Sequence, residues 1–341
     1  MLYFKSDYTC GAHPEVLEAL VATNNIHTPG YGDDEYSKSA AELILKHCGI
    51  SEGKVYFLEG GTQTNALVID RLLSRNDGVI AADTSHINVH EAGAIEAWGH
   101  KILVIPNRDG KIIAREVDEY VTLFYSDDTH EHMVRPSMVY ISFPTELGTV
   151  YSKEELIELH AVCKKHGMPL YIDGARMAFG LGVKENDIDL KFIASHCDVF
   201  YIGGTKCGAM FGEAVVTANR DLLPRFYSLI KIHGGLLAKG RILGVQFLSL
   251  FKDGLYFKIG EKGVTLARKL KEGFEAKGYR CFIDSPTNQQ FFTLPNNLIE
   301  RLSKDVAFEY WGPPGESESN VRFVVGWSTT EEDVEKLLDL L

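Results

Sequence analysis

The sequence predicts an α/β protein in which helices cover both faces of a large, mostly parallel β-sheet, followed by a smaller α+β domain. Between about residues 14 and 250, short apolar runs rich in β-branched residues alternate with amphipathic segments, a pattern typical of strands joined by crossover helices. Beyond about residue 255, a few strands group with helices, which favours a separate unit with antiparallel strands. We therefore expect a large domain over 14–250 and a small domain over 251–341 that also includes 1–13.

The individual elements follow from apolar spacing and from helix-capping residues. Pro14 is expected in the first turn of a helix, and Ser37 is expected to cap a second helix that ends at Gly49. The strand candidates of the large domain are 54–58, 78–83, 101–106, 137–143, 169–173, 198–202 and 213–217. The helix candidates with the clearest apolar face are 153–166, 260–277 and 297–303, and the later strand candidates are 291–294, 306–310 and 321–325. Ser328, with Glu331 three residues on, is expected to open the last helix in a capping box.

Composition excludes several classes of protein. The chain has 341 residues, 45% of them hydrophobic and 24% charged, with a formal net charge of −12, which disfavours a nucleic-acid partner. No run approaches the ~20 apolar residues of a membrane span, and the first residues do not resemble a signal peptide. The six cysteines are scattered without a C-x-x-C pair, so we expect free thiols and a reducing, cytoplasmic location.

Two motifs place reactive side chains at strand ends. The apolar run after Asp198 breaks at glycine and delivers Lys206, and the run after Pro169 ends in Asp173-Gly-Ala-Arg176. The carboxyl ends of strands are where open α/β sheets bind ligands. A lysine that forms a Schiff base, an acid that partners a pyridinium nitrogen and an arginine that holds an anion together indicate a pyridoxal phosphate enzyme. A surface lysine and a strand-end salt bridge would explain either motif alone, but they explain the two together less well.

A candidate anion-binding turn follows the 54–58 strand. Gly61 and Thr62 open an apolar helix, where backbone N–H groups and the helix N-terminus favour a phosphate. The turn is neither G-x-G-x-x-G nor a P-loop, which disfavours a dinucleotide or a nucleoside triphosphate. A plain strand-to-helix turn is the alternative.

Two further positions have alternative interpretations. His86 can lie flat against an aromatic cofactor, or it can bind zinc together with His90, although the H-x-x-x-H-E order lacks the internal glutamate of H-E-x-x-H and no third ligand is obvious. We expect no metal. Arg322 lies within an apolar strand of the small domain, where it can grip a substrate carboxylate or pair with a glutamate.

Taken together, these residues resemble the threonine aldolase and aromatic amino acid β-eliminating lyase family of fold-type I pyridoxal phosphate enzymes. The resemblance covers nearly the whole chain. It is carried by Ser6-Asp7, Tyr31-Gly-Asp-Asp, Gly61-Thr62 with Asn65, Ser85-His86 with Glu91-Ala-Gly, Asp173-Gly-Ala-Arg176, Thr205-Lys206 and Arg322.

The resemblance implies a role for each of these side chains. His86 stacks on the pyridine ring, Gly61 and Thr62 hold the phosphate, Asp173 binds the ring nitrogen and Lys206 carries the cofactor. It further implies that Ser6, Arg176 and Arg322 lie near the substrate carboxylate or the ring hydroxyl. Such enzymes are homodimers or homotetramers whose sites lie between subunits, and Lys239 is the nearest candidate to reach a neighbour's phosphate.

The implied reaction is retro-aldol cleavage of a β-hydroxy-α-amino acid, threonine or allo-threonine, to glycine and an aldehyde, with His86 or an ordered water as the base. One departure bears on the β-substituent. The family commonly has a histidine in a Thr-His-Asn segment after the strand before Asp173, whereas this chain has Glu146 and no histidine between Ile141 and Gly148. β-Elimination and non-catalytic binding of pyridoxal phosphate therefore remain alternatives.

Overall fold

The computed structural model describes all 341 residues as three β-sheets with their covering helices. The strands are β1 (Leu2–Tyr3), β2 (Lys54–Leu58), β3 (Asp77–Ala82), β4 (Lys101–Ile105), β5 (Arg135–Ser142), β6 (Leu170–Asp173), β7 (Val199–Gly203), β8 (Glu213–Thr217), β9 (Arg280–Ile283), β10 (Gln289–Pro295), β11 (Val306–Ala307), β12 (Glu309–Tyr310) and β13 (Glu318–Val324). The first seven helices are α1 (Pro14–Thr23), α2 (Glu35–His47), α3 (Gly61–Leu72), α4 (His86–Val89), α5 (Ala94–Ala97), α6 (Ala114–Ser126) and α7 (Lys153–Lys165). The remaining seven are α8 (Met177–Leu181), α9 (Leu190–Ser195), α10 (Phe226–Ile232), α11 (Arg241–Lys252), α12 (Leu255–Ala276), α13 (Asn296–Leu302) and α14 (Glu331–Asp339), and a short 3₁₀ helix spans His130–His132.

The large sheet has seven strands in the order β2-β8-β7-β6-β5-β3-β4. β3 to β7 pair in parallel, whereas β8 runs antiparallel to both β7 and β2. The predicted α/β class, with a mostly parallel sheet, is confirmed. Since β8 runs antiparallel to both of its neighbours, β2 points in the same direction as β7. The end of β2 and the start of β8 therefore lie at the edge where the parallel strands end.

Helices cover both faces of this sheet, as strand periodicity requires. Successive β3 residues alternate between two buried clusters, with Val79 in one and Ile80 in the other. One face packs against α3, α4, α5 and α10, and the other packs against α1, α2, α6 to α9, α11 and the start of α12.

The small sheet is antiparallel and has the order β12-β13-β10-β9. It shares a third buried cluster with α13, α14 and the end of α12. The N-terminus belongs to this region, because β1 pairs in parallel with β11 and Phe4 lies in the same cluster. The division of the chain at residue 250 stays a prediction, since α12 contributes residues to the buried clusters of both parts.

Three helix starts differ from the sequence-based expectation. Helix α2 is capped by Asp34, which accepts hydrogen bonds from the backbone N–H and the hydroxyl of Ser37, so Ser37 lies inside the helix. Helix α14 has its capping box at Thr330 and Asp333, two residues after the predicted one. Helix α12 begins at Leu255, because Gly260 is a packing position inside it: a Cβ there would meet the backbone oxygen of Ala178 at 2.0 Å.

Candidate active site

The candidate site forms where β5, β6 and β7 end side by side. Asp173 is the last residue of β6, and Lys206 follows β7 in the adjacent turn. Two glycines let these turns approach each other closely, since a Cβ on Gly174 would lie 2.0 Å from the backbone oxygen of Tyr201, and one on Gly203 would lie 2.3 Å from that of Ala175. Glycine is therefore required at both positions.

A cavity of about 300 Å³ at this edge brings together most of the sequence-predicted residues. Its walls include Gly61, Thr62, His86, Asp173, Arg176 and Lys206. A second, adjoining cavity shares His86, Arg176 and Lys206 and adds Arg322 from the small sheet. Two predicted residues lie elsewhere in the single chain. Ser6 is buried next to Asp7 and lines neither cavity, and Lys239 lies in a separate cleft beside α1 and α11.

Lys206 is half-buried and makes no hydrogen bond or ion pair within the chain. Its Nζ lies 5.8 Å from the centre of the Tyr8 ring. Burial lowers the pKa of Lys206, and the nearby Arg176 guanidinium lowers it further. An amine of lowered pKa with no protein partner is suited to react with a carbonyl group.

Asp173 is buried, and both of its carboxylate oxygens accept hydrogen bonds. Oδ1 accepts from the backbone N–H of Ala175 at 2.9 Å, while Oδ2 accepts from Asn65 Nδ2 at 2.9 Å and from the Tyr140 hydroxyl at 2.7 Å. The three donors fix the orientation of the carboxyl group.

His86 is oriented by a buried glutamate. Its Nδ1 lies 2.7 Å from Glu91 Oε1, an oxygen that also accepts from Asn65 Nδ2 at 2.7 Å. Asn65 thus connects Glu91 to Asp173, and its own Oδ1 accepts from the Tyr171 hydroxyl at 2.8 Å. The other oxygen of Glu91 is buried without a partner. With Nδ1 engaged, the rest of the His86 ring is available to face a ligand.

Arg176 and Arg322 differ in which of their guanidinium nitrogens bond to other side chains. Arg176 holds Asp7 in a two-point contact, with Nε to Oδ2 at 2.7 Å and Nη2 to Oδ1 at 3.0 Å, which leaves Nη1 for another partner. Burial tends to raise the pKa of Asp7, but Arg176 and Lys206 outweigh burial and hold that pKa below its ordinary value. Asp7 also accepts from Asn288 Nδ2 at 2.9 Å.

Arg322 is buried beside the second cavity and already has protein partners. Its Nη1 donates to Gln289 Oε1 at 2.8 Å, its Nη2 pairs with Glu309, and the Trp311 ring centre lies 5.0 Å from the guanidinium carbon. Its Nε is buried without a partner. The pairing of Arg322 with a glutamate is present, and its role at a substrate carboxylate stays a prediction.

A fully buried glutamate supports the turn that carries Lys206. Glu213, the first residue of β8, accepts from the backbone N–H of Gly204 at 3.0 Å and from the Thr205 hydroxyl at 2.7 Å. Burial raises the pKa of Glu213 to about 8. It fixes the backbone next to the lysine in either protonation state.

Comparison with known proteins identifies the family. A family model for beta-eliminating lyases matches residues 4–296. The chain belongs to the beta-eliminating lyase family. The low specificity L-threonine aldolase of Pseudomonas aeruginosa is 30% identical over 340 residues, which cover 98% of this chain and 95% of that protein. The solved structure of Leishmania major threonine aldolase superposes with a TM-score of 0.96 at 40% identity and covers 99% of this chain and 98% of that one. Aspartate aminotransferase from Thermus thermophilus, at 16% identity, shares the fold with a TM-score of 0.72 over 100% of this chain and 90% of that one.

This beta-eliminating lyase is accordingly a pyridoxal phosphate-dependent enzyme of fold type I, and its cavity fits that cofactor. Lys206 is an amine without a partner, and Asp173 would place an oriented carboxyl group against a ring nitrogen. The N-terminus of α3, capped by Gly60 with no side chain on its N–H groups, lines the same cavity as a site for phosphate. The residues that the structure describes contain no group of three or more side chains able to hold a metal ion.

Several site residues are not apparent from sequence motifs. Tyr140, Ser142 and Glu146 lie at the end of β5, and Glu309 and Trp311 reach the site from the small domain. For the β5 residues a signal existed, because polar residues directly after an apolar run mark the edge where Asp173 and Lys206 lie. The partners of Arg176 and Arg322 depend on tertiary packing, and local sequence carries no signal for them.

Proposed function

We propose that this lyase cleaves a β-hydroxy-α-amino acid, threonine or allo-threonine, to glycine and an aldehyde. The observation that carries the proposal is the convergence of Lys206, Asp173 and His86 in one cavity, with Arg176 and Arg322 at its open side. Relatives named as threonine aldolases, 30% and 40% identical over nearly the whole chain, support it.

Each side chain has a task that follows from its position. Lys206 would hold the cofactor covalently, and its amine, when not so engaged, would move a proton at the substrate Cα. Asp173 would pair with the ring nitrogen, and its three hydrogen-bond donors hold the carboxyl group in place for that purpose. Bound pyridoxal phosphate supplies an electron sink for the pair left on Cα when the Cα–Cβ bond breaks. His86, oriented by Glu91, covers the ring.

The substrate is oriented through its carboxylate. Arg176 has one free guanidinium nitrogen on the cavity, and Arg322 can exchange its half-exposed partner Glu309 for the incoming anion. A carboxylate held by arginine would fix the orientation of the bonds at Cα and thereby select which of them is cleaved. Ser6 precedes Asp7, the partner of Arg176, in the chain. We propose that Ser6 helps to position the Asp7–Arg176 pair, and through it the substrate carboxylate.

The product mixture decides between this reaction and its alternatives. Purified protein would be incubated with threonine, allo-threonine, serine, cysteine and tyrosine in turn. Glycine with an aldehyde is the expected result for the first two substrates. Pyruvate and ammonia in place of glycine would contradict the proposal and establish β-elimination, the reaction for which the family model is named. A protein that binds the cofactor but converts none of the five would be a non-catalytic binder.

We further propose a homodimer or homotetramer in the cytoplasm. Lys239 lies outside the cavity of its own chain, which supports a role at a neighbouring subunit's phosphate. All six cysteines are free, which supports a reducing compartment, and none of the helices combines the length and apolar character needed to cross a bilayer. Residues 14–250 would bind the cofactor, while 251–341 with 1–13 would contribute Arg322 and Ser6.

A further inference from the structure

Glu146 lies at the junction of the two cavities. It follows β5 and lines both the cofactor cavity and the adjoining cavity that contains Arg322. Lys206 and His86 are also common to both cavities. A side chain in this position can contact a ligand that extends from one cavity into the other.

The two carboxyl oxygens of Glu146 have different environments. Oε1 accepts from the backbone N–H of His86 at 2.9 Å and from the Ser142 hydroxyl at 2.6 Å. Oε2 has no hydrogen-bond partner in the protein and is not among the buried polar atoms that lack one, so it remains accessible from the cavity. One oxygen therefore anchors the side chain, and the other is free to exchange a proton.

Ser142 can satisfy both protonation states of Glu146. Its hydroxyl lies 2.6 Å from Glu146 Oε1 and 3.3 Å from the Tyr140 hydroxyl, which itself donates to Asp173. When Glu146 is ionised, Ser142 donates its proton to the carboxylate. When Glu146 is protonated on Oε2, Oε1 is the carbonyl oxygen and still accepts from Ser142 and from the His86 N–H. The site thus accommodates gain and loss of a proton without breaking the hydrogen bonds that anchor the side chain.

Burial is the main reason why the pKa of Glu146 lies above its ordinary value. Burial raises the pKa of Glu146, and the negative charge of Asp173 acts in the same direction, while the Ser142 hydroxyl and the His86 N–H oppose them. The cationic or titratable nitrogen groups facing these cavities are His86, His90, Arg176, Lys206 and Arg322. The acidic groups that line the cavities besides Asp173 and Glu146 itself are the carboxyls of Glu59, Glu213 and Glu309 and the phenols of Tyr8, Tyr201 and Tyr310, and the Tyr140 phenol lies behind them next to Ser142.

We propose that Glu146 is the catalytic base that removes the proton from the β-hydroxyl of the substrate, an assignment that rests on the function proposed above. The O–H bond breaks, its proton passes to Glu146 Oε2, and its electron pair forms the second C–O bond of the aldehyde. The Cα–Cβ pair remains on Cα, for which a bound cofactor would act as electron sink, until a proton adds to Cα and gives glycine. Glu146 then releases its proton to water after the aldehyde has left. His86, the candidate from sequence, has the separate task of covering the cofactor ring, with its Nδ1 held by Glu91.

The test compares two reactions of the same cofactor-loaded protein. Glu146→Gln keeps an oxygen that can accept from His86 and Ser142 but cannot take up a proton. We expect kcat for threonine cleavage to fall by roughly 10²–10⁴-fold and the acidic limb of the pH profile of kcat/KM to disappear. Exchange of the glycine α-proton with deuterated water, followed by NMR, involves no β-hydroxyl and should stay within a few-fold of the unmodified rate. Glu154→Gln, the same exchange at an exposed position on α7, should match the unmodified protein in both reactions.

Ser142→Ala provides a second variant whose effect is on pH. Removing a donor to the ionised carboxyl should move the acidic limb to higher pH by about half a unit to one unit, the pKa equivalent of one hydrogen bond. A merely structural serine would leave that limb in place. Cofactor absorbance and the unfolding temperature of both variants, measured independently of activity, should remain near those of the unmodified protein.

Three results would overturn the assignment. Glu146→Gln could retain cleavage with an unchanged pH profile, or it could lose cleavage and glycine exchange together, which would make Glu146 a support of the cofactor cavity. Alternatively, the unmodified protein could exchange the glycine proton yet cleave no β-hydroxy amino acid. That third result would remove the proposed function and this role with it, and it is distinguished from the first two because it appears without any substitution.

Discussion

At the scale of single residues, the environment of each charged group determines its role. Arg322 is held between Gln289 and Glu309, and it faces the cavity on its other side. We expect Arg322→Ala to retain the cofactor absorbance and to lose about 2–5 kcal/mol of transition-state stabilisation, measured as kcat/KM, because a charge pair with the substrate carboxylate is removed. Glu309→Gln should lower KM, because the substrate carboxylate would no longer compete with the Glu309 carboxylate for the Arg322 guanidinium. Near-native kcat/KM in Arg322→Ala would show that Arg322 serves only as the ion-pair partner of Glu309.

Glu213 gives a residue-scale prediction about stability and pH. Burial raises its pKa from an ordinary value of 4.5 to about 8, so between these values the folded protein keeps a proton that the unfolded chain has lost. The free energy of unfolding therefore falls as pH rises through this window. Glu213→Gln should make the fall shallower, which thermal unfolding at about pH 5 and about pH 8 would measure. An identical pH dependence in the variant would mean that Glu213 is ionised throughout.

At the scale of elements, the site depends on how closely the turns after β6 and β7 pack. A Cβ on Gly174 would lie 2.0 Å from the Tyr201 backbone oxygen, an atom that cannot move without displacing β7. We expect Gly174→Ala to lower the free energy of unfolding by about 1–3 kcal/mol or more and to weaken cofactor retention. Gly11→Ala is the control, because its nearest neighbours, the Met210 side-chain atoms, lie at 3.8 Å. Equal unfolding temperatures for the two variants would contradict this account of the turns.

The elements also show what sequence reasoning can predict. Strand ends were predictable because an apolar run that breaks at glycine and then presents Asp173 or Lys206 has few other interpretations. Helix starts were less predictable. Asp34 caps α2 although it lies outside the apolar pattern. Gly260 was expected at the start of a helix, but it lies inside α12 and permits close packing of α12 on α8. The pairing of Arg176 with Asp7 joins residues 169 positions apart, and no local pattern encodes it.

At the scale of the whole molecule, Lys239 lies in a cleft separate from the cavity that contains Lys206. If it serves a neighbour's phosphate, hybrids of Lys206→Ala and Lys239→Ala subunits should contain one site with both lysines intact. We expect the mixed variants, unfolded and refolded together, to exceed the average activity of the two separate variants. No gain over that average, with hybrids present by native mass spectrometry, would place Lys239 outside any shared site.

The proposed cofactor site is built on Lys206 at the edge of the large sheet. The most direct test is to find the residue that carries the cofactor. Protein purified after expression with pyridoxal phosphate available would be reduced with borohydride, digested and mapped by mass spectrometry. We expect one pyridoxyl-modified peptide, with the label on Lys206, and no label in Lys206→Ala. A label on another lysine, such as Lys239, or no bound cofactor at all, would contradict it.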